Sequence, residues 1–337
     1  MSMVRLRDVA RESGVSTGTV SNVLNGSPSV NGEIADRVRA VIDRLGYVPN
    51  STARSLRTGQ IRALGFVFTD IANPFFTTLA TGASAAAAEA GYALLFATSA
   101  DDVSGETRYL GVFEEHRVAG VLVTPARSAP NTERLLAQGT QVVLVDRRSE
   151  QHCSVFVDDR AGGRIGAEHL LELGRRRILL VLGPDAIPQM HERAEGSREA
   201  VARVPGAELR VQHHTTLSIG IGQDVGRQIL AMAPEERPDA VFAGNDVVAI
   251  GLLQVIGRAL RIPEDIAVLG YDDIDFAAAS IIPISSINQP TEHMGYVGAQ
   301  LLIDELTEQA AGAAHVHRSV ELFPRLVVRE STRGLAV

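Results

Sequence analysis

Residues 8–24 read DVARESGVSTGTVSNVL, and this stretch decides how the start of the chain folds. Its spacing predicts two short helices joined by a tight turn, the first over 8–13 with Val9 and Ala10 on its inner side. Gly14 supplies a turn residue that takes positive φ at no steric cost. Val15 plugs the space between the helices, and Ser16 suits the N-cap of the second, because its hydroxyl can accept from a free backbone N–H. Val20, Val23 and Leu24 recur at helical spacing and face inward, which leaves Thr17, Gly18, Thr19, Ser21 and Asn22 outward. A short exposed face of small hydrogen-bonding residues at a helix N-terminus suits insertion into a DNA major groove. A helical hairpin with an ordinary polar surface fits the same pattern, so the neighbouring residues have to decide.

A third helix is expected over 32–45, with Asn31 as N-cap, Ile34, Val38, Val41, Ile42 and Leu45 as one apolar stripe, and Gly46 as the stop. Tyr47, Val48 and Pro49 lead into residues 50–57, NSTARSLR, a segment too short to be a stable helix by itself. Residues 58–60 then read as a linker. The first sixty residues hold eight arginines against five acids, a net +3, which leaves −11 of the overall −8 on the rest of the chain. A basic headpiece on an acidic body attracts phosphates locally while the body repels them.

The run DVARESGVSTGTVSNVLNG, then Gly46-Tyr47-Val48-Pro49-Asn50, then Ala53-Arg54-Ser55-Leu56, resembles the lactose/galactose repressor (LacI/GalR) family of bacterial transcription regulators. The resemblance implies that the second helix reads the major groove, and that 50–57 is a hinge helix which folds on DNA. Leu56 matches the leucine that wedges into the central minor groove, where an apolar wedge unstacks a base step and kinks the duplex. The expected DNA-contacting residues are Ser16, Thr17, Gly18, Thr19, Asn22, Asn25, Tyr47, Asn50, Ala53, Arg54, Leu56 and Arg57. Thr17 and Asn22 are the candidates for base contact; Gly18, without a side chain, would permit close approach. One position departs from the pattern. Arg5 stands where family members usually carry a Ser or Thr cap, so either the cap shifts or the first turn frays.

The chain has no lysine, so its positive charge is all arginine, and a single cysteine, Cys153, excludes an intramolecular disulfide and fits a reducing cytosol. With no apolar run long enough to cross a bilayer and no apolar N-terminal signal, a cytoplasmic location is expected and no membrane association.

From residue 61 onward, short apolar runs alternate with helical stretches. Strands are expected at 64–68, 93–97, 120–123, 142–145 and 154–157, and again at 178–182, 209–211, 240–243, 267–270 and 285–288. Continuous apolar strands separated by helices indicate parallel sheets covered on both faces. Asn73-Pro74 is a helix start, cap then first-turn proline, and Gly91 ends that helix. The fold class is therefore an all-α helix-turn-helix headpiece plus an α/β core of two doubly wound parallel-sheet subdomains. The family resemblance implies the periplasmic-binding-protein arrangement, with discontinuous halves. The expected divisions are a headpiece at 1–60 with the hinge at 50–57, an N-terminal core subdomain from 61–158 and 291–320, and a C-terminal core subdomain from 159–290 and 321–337.

Polar residues recur directly after the strands: Asp70 and Asn73, Asp146 and Arg147, Asp158, Asn245 and Asp246, Asp272 and Asp273. Ligands of open parallel sheets bind beyond the carboxyl ends of the strands, so these residues are expected to line one cleft. Carboxylates, amides and guanidinium suit a polyhydroxylated ligand, since each hydroxyl both donates and accepts. The expected effector contacts are Asp70, Asn73, Phe75, Phe76, Asp146, Arg147, Arg193, Leu217, Asn245, Asp272 and Gln289, of which Asp146-Arg147, Arg193, Asn245, Asp272 and Gln289 match family positions. Each aspartate could instead cap a helix at a βα loop, and for Asp158, Asp246 and Asp273 capping is at least as good a reading. The chain has no tryptophan, and Leu217, Ile219 and Ile221 stand where sugar-binding relatives often place an aromatic, so the ligand stays open between a sugar, a sugar derivative and something less polar.

Gly220-x-Gly222-x-x-x-Gly226 has the wrong spacing for a dinucleotide loop. His213-His214 and His315-x-His317 lack companion ligands at metal spacing and read as surface or strand residues; Arg175 to Arg177 read as a solvated loop. No metal and no cofactor is expected. No nucleophile has supporting context, so no enzyme is expected. The sequence thus points to a ligand-responsive repressor that binds a palindromic operator as a homodimer, with a small-molecule effector, a sugar or sugar derivative, in the cleft. The alternative is a solute-binding receptor with no DNA role.

Overall fold

A computed structural model describes residues 4–24, 30–47, 61–100, 102–125, 135–136 and 139–333. The chain divides into two compact units, Met1–Ile61 and Arg62–Val337. In the first, α1 (Leu6–Ser13), α2 (Thr17–Leu24) and α3 (Gly32–Leu45) enclose a core centred on Val9, Val20 and Val38. Local chemistry sets each boundary. Ser16 Oγ accepts from the Thr19 N–H at 3.0 Å, Asn31 Oδ1 accepts from the Glu33 N–H at 3.0 Å, and Gly14 and Gly46 take φ of 67° and 61° just past their helices. α1 begins two residues before the expected start. The Asp8 carboxylate accepts the Arg5 N–H at 2.9 Å, so the acid three positions on supplies the reciprocal half of a capping box. Arginine at position 5 therefore neither shifts the cap nor frays the turn. The hinge at 50–57 lies outside the described residues.

In the second unit every expected strand is present. β1 (Ile61–Phe68), β2 (Ala93–Thr98), β3 (Val118–Val123), β4 (Gln141–Val145) and β5 (Cys153–Val157) form one sheet with β11 (Ser319–Leu322), in the order β11-β5-β4-β3-β1-β2. β6 (Arg177–Leu182), β7 (Glu208–His213), β8 (Ala240–Ala243), β9 (Ala267–Asp272) and β10 (Ser285–Asn288) form the other with β12 (Arg325–Val327), in the order β12-β10-β9-β8-β6-β7. β12 runs antiparallel, against β10. The chain passes between the sheets after β5, after β10 and at Phe323-Pro324.

Helices cover the sheets in close pairs, and each pair is built on glycine. α4 (Pro74–Glu89) packs on α11 (Thr291–Ala310), α6 (Asp159–Glu172) on α7 (Pro188–Ala202), and α8 (Ile219–Ala231) on α9 (Asp246–Ile256). A Cβ added at Gly82 would lie 1.8 Å from the Glu292 carbonyl oxygen, one at Gly196 1.9 Å from that of Arg160, and one at Gly222 2.1 Å from that of Val248. The glycine series around Gly222 is thus a helix-packing face. The shorter helices are α5 (Val103–Glu115), α10 (Asp275–Ala278) and α12 (Glu330–Arg333). The arginine triplet is not a free loop. The Arg176 and Arg177 N–H groups both donate to the Asp239 carboxylate, and the Arg175 guanidinium donates to the Pro263 and Glu264 carbonyls. Among the described residues, no helix is long and apolar enough to cross a membrane.

Candidate functional site

In the headpiece, Ser16, Thr17, Gly18 and Asn22 are exposed on α2, and Thr19 is half-buried with its hydroxyl 2.9 Å from that of Ser16. Thr17 and Asn22 are therefore both open to solvent, at the first and second turns of α2. Tyr47 is 8 % exposed and packs against the headpiece core. Asn25, Asn50, Ala53, Arg54, Leu56 and Arg57 lie outside the described residues.

In the core, all the residues expected to contact the effector line one cavity of about 350 Å³. Strand ends deliver most of them: β1 leads to Asp70 and Asn73, β4 to Asp146 and Arg147, β8 to Asn245, β9 ends on Asp272, and β10 leads to Gln289. Both sheets thus contribute through their carboxyl ends. Asp146 and Asp272 take φ of 57° and 99°. Aspartate tolerates that region better than most residues, and it turns both carboxylates off the strand ends into the cavity.

Arg193 reaches in from α7. It is 4 % exposed; its Nε donates to Asp159 Oδ1 at 2.7 Å, its Nη1 to the Gly244 carbonyl at 2.8 Å, and its guanidinium lies 3.6 Å from the Tyr271 ring centroid. Tyr271 Oη donates to the same Asp159 oxygen at 3.0 Å. Asp159 and Tyr271, which the sequence did not single out, thus fix the guanidinium with Nη2 left over. Across the cavity Gln189 Nε2 donates to the Asp146 carbonyl and, at 3.2 Å, to its carboxylate, while Gln289 Nε2 donates to Asp272 Oδ1 at 2.7 Å. Little in the sequence pointed to Gln189 and Thr124: Thr124 is a lone hydroxyl between β3 and Pro125, and Gln189 lies well past β6, in the first turn of α7. The opposite wall is apolar. Phe76 stacks on Phe68 at 5.8 Å and meets Phe75 edge-on at 5.1 Å, so the ring is held in place.

The doubtful aspartates separate. Asp158 caps α6, accepting from the Ala161 N–H at 2.9 Å. Asp246 does not cap, because Asn245 does so for α9, accepting from the Val248 N–H at 2.9 Å. Asp246 is instead fully buried and accepts from Ser286 Oγ and the Ile274 N–H, tying α9 to the strand ends beside it. Asp273 pairs with Arg329 at 2.7 Å.

Two properties define what the cavity can bind. First, Thr124 Oγ1, Asp146 Oδ1, Arg147 Nε, Gln189 Oε1 and Gln289 Oε1 are buried, have no hydrogen-bond partner among the described residues, and all belong to residues of this cavity. A buried polar group without a partner is costly, about 1–3 kcal/mol each, and a ligand rich in hydroxyls would satisfy acceptors and donors alike. Second, the carboxylates crowd. Burial, then the nearby Asp159, pushes Asp146 up to about 7, against the pull of Arg193. Burial pushes Asp272 up to about 6, again opposed by Arg193.

These shifts set a pH dependence. A carboxyl raised above its ordinary 3.8 binds its proton more tightly folded than unfolded, so its contribution to stability is complete below that value and lost as pH rises through the folded one. The ligand-free protein is expected to lose stability between about pH 4 and pH 7 on this account. Asp272→Asn keeps the acceptor for Gln289 and removes the ionisation. It is expected to recover up to about 3 kcal/mol at pH 8 and almost nothing at pH 4, in urea denaturation at both pH values. An equal change at both would show that the carboxyl does not titrate in this range.

Residues 5–50 match the model of bacterial regulatory proteins of the lacI family, and residues 167–332 that of a periplasmic binding protein-like domain. The chain is 33 % identical to the ribose operon repressor of Bacillus subtilis, over 97 % of this chain and 99 % of that one. Among solved structures it is similar to a transcriptional regulator CelR–cellobiose complex, with 32 % identity, a TM-score of 0.71, and 97 % and 99 % of the two chains covered. It is also similar to the lac repressor dimer bound to operator and an anti-inducer, with 25 % identity, a TM-score of 0.80, and 98 % and 99 % covered. With a helix-turn-helix headpiece and a doubly wound, two-sheet core around a single cleft, the chain belongs to the lacI family of bacterial transcriptional regulators, a family of regulatory proteins rather than enzymes.

Proposed function

We propose that this protein is a repressor that binds a palindromic operator as a dimer and takes a sugar or sugar derivative in the cavity. The observation that carries the ligand is the set of partnerless buried polar atoms facing a held aromatic ring: hydroxyls fill the first, and the apolar face of a sugar ring rests on the second. A cavity of about 350 Å³ is at the small end of ligand sites, which favours a ligand of monosaccharide size. The relatives agree in kind, one being a ribose operon repressor and another holding cellobiose.

The division proposed for the chain is a headpiece at 1–60 with a hinge at 50–57, then core halves of 61–158 with 291–322 and 159–290 with 323–337; the last boundary moves from the expected 320/321 because β11 continues to Leu322 beside β5. Thr17 and Asn22 would read bases and Leu56 would wedge the minor groove. Effector closing the cleft would change the angle between the halves and so the spacing of paired hinges. That coupling needs differential affinity for the two states, typically ~1–3 kcal/mol.

The test is a thermal-shift screen of the full chain against pentoses, hexoses and their derivatives, followed by titration of the best sugar into complexes with a palindromic duplex selected from random sequence. A sugar that raises Tm by mass action and changes duplex affinity about 5–150-fold supports the reading. A sugar that raises Tm in a protein retaining no duplex would favour the solute-binding receptor instead.

A further inference from the structure

Away from the cleft, at the start of β5, four potential metal ligands converge from three segments. They are Cys153 on β5, Glu305 near the end of α11, and His315 and His317 in the run between α11 and β11. One atom from each lies within 4.8 Å of every other. Cys153 Sγ is 3.1 Å from His315 Nε2, Glu305 Oε2 is 3.7 Å from the same nitrogen, and the two histidine rings are 5.2 Å apart. We propose that this cluster is a binding site for one borderline divalent transition-metal ion, zinc(II) in the first place, held by Cys153, Glu305, His315 and His317.

Three observations support a cation rather than a chance meeting of side chains. Glu305 is 3 % exposed, yet its Oε2 has no hydrogen-bond partner among the described residues. A buried carboxylate oxygen without a donor is expensive, and a cation removes that cost. His315 is oriented from behind: its Nδ1 lies 2.7 Å from Glu308 Oε2, one helical turn beyond Glu305. That contact fixes the tautomer that leaves Nε2 free to coordinate, as carboxylates behind metal-bound histidines do. Finally, the Arg318 N–H donates to Cys153 Sγ at 3.3 Å, a hydrogen bond of the kind that metal-bound thiolates accept, while burial in the absence of a cation pushes the thiol up.

The donor set suits zinc, which takes thiolate, imidazole and carboxylate in tetrahedral sites with bonds of roughly 2.0–2.3 Å. Such bonds place ligand atoms roughly 3.3–3.8 Å apart, so the cluster would contract by an ångström or so around the ion. Four protein ligands leave no open position, and closed sites of this kind are structural. This one would pin the run that returns from α11 to the edge strand β11, next to β5. The sequence concealed it, since Cys153 and His315 stand 162 residues apart.

The test uses the full chain, stripped with a chelator, incubated with zinc chloride and desalted. About one zinc per chain should remain by elemental analysis, and Tm should rise over that of the stripped protein. Cobalt(II) in place of zinc should give a thiolate-to-metal charge-transfer absorption that Cys153→Ser abolishes. Because Cys153 is buried and its replacement could harm the fold, His317→Ala is the second variant: His317 is exposed, so its stripped form should melt with the stripped wild type while losing the zinc-induced rise. Wild-type protein that keeps no zinc after desalting, or His317→Ala and Cys153→Ser proteins that keep as much as wild type, would overturn the site.

Discussion

Arg193→Met is expected to abolish sugar binding and to lower the stability of the core by about 3–5 kcal/mol, the range for breaking a buried ion pair from one side. The guanidinium holds Asp159, the Gly244 carbonyl and the Tyr271 ring at once. Without it Asp159, 7 % exposed, keeps a tyrosine donor but no positive charge. Asp146 and Asp272 lose the same cation, which already acts against their raised pKa values. The two losses can be separated. Removing both charges of a buried pair is often close to neutral, so Arg193→Met with Asp159→Asn should regain most of the stability and none of the binding. Urea denaturation gives the first quantity and calorimetric sugar titration the second. Sugar affinity within tenfold of wild type in the single variant would reduce Arg193 to scaffolding.

The same residue shows how far the sequence could be read. Arg193 was legible as a ligand contact because the family resemblance covers it, but Asp159 and Tyr271 were not, since their roles depend on contacts 34 and 112 residues apart in the chain. Headpiece boundaries were legible almost to the residue, because Ser16, Asn31, Gly14 and Gly46 act on backbone groups within a turn of themselves. Even there the rule named the wrong agent at Arg5, where Asp8 supplies the cap. The buried strands announced themselves as apolar runs. β11 and β12, reading SVEL and RLV, are short edge strands whose pairing is decided by where the returning chain arrives. The cleft was legible as polar residues after strands; which of those aspartates cap, which brace and which face the ligand was not, because capping, bracing and binding ask for the same carboxylate.

Phe276→Asp with Ile281→Asp is expected to turn a dimer into monomers and to weaken operator binding about 10²–10⁴-fold, the gain that linking two binding modules ordinarily provides. Phe276 is 62 % exposed and Ile281 fully so, and they border an apolar groove of about 680 Å³ that also takes in Ile219, Val247, Ile250 and Leu253. A second apolar surface lies on the other sheet, where the edge strand β2 exposes Leu95 and Phe96. An open hydrophobic edge strand invites pairing with another chain, and contiguous apolar patches of this kind mark association surfaces. Two-fold association would cover the same patches on both copies and present two headpieces to two half-sites. Each large side chain buried there contributes about 1.5–3 kcal/mol, and a carboxylate in its place would be desolvated without a partner. Neither substituted residue lines the effector cavity, so sugar binding should persist while sedimentation reports the monomer mass and the palindromic duplex is no longer retained. If the effector closes the cleft as proposed, a rotation of one half against the other would also change how these surfaces meet between two copies, which would give the effector a physical route to the spacing of the headpieces. A variant that still sediments as a dimer would assign the groove to another partner and remove that route.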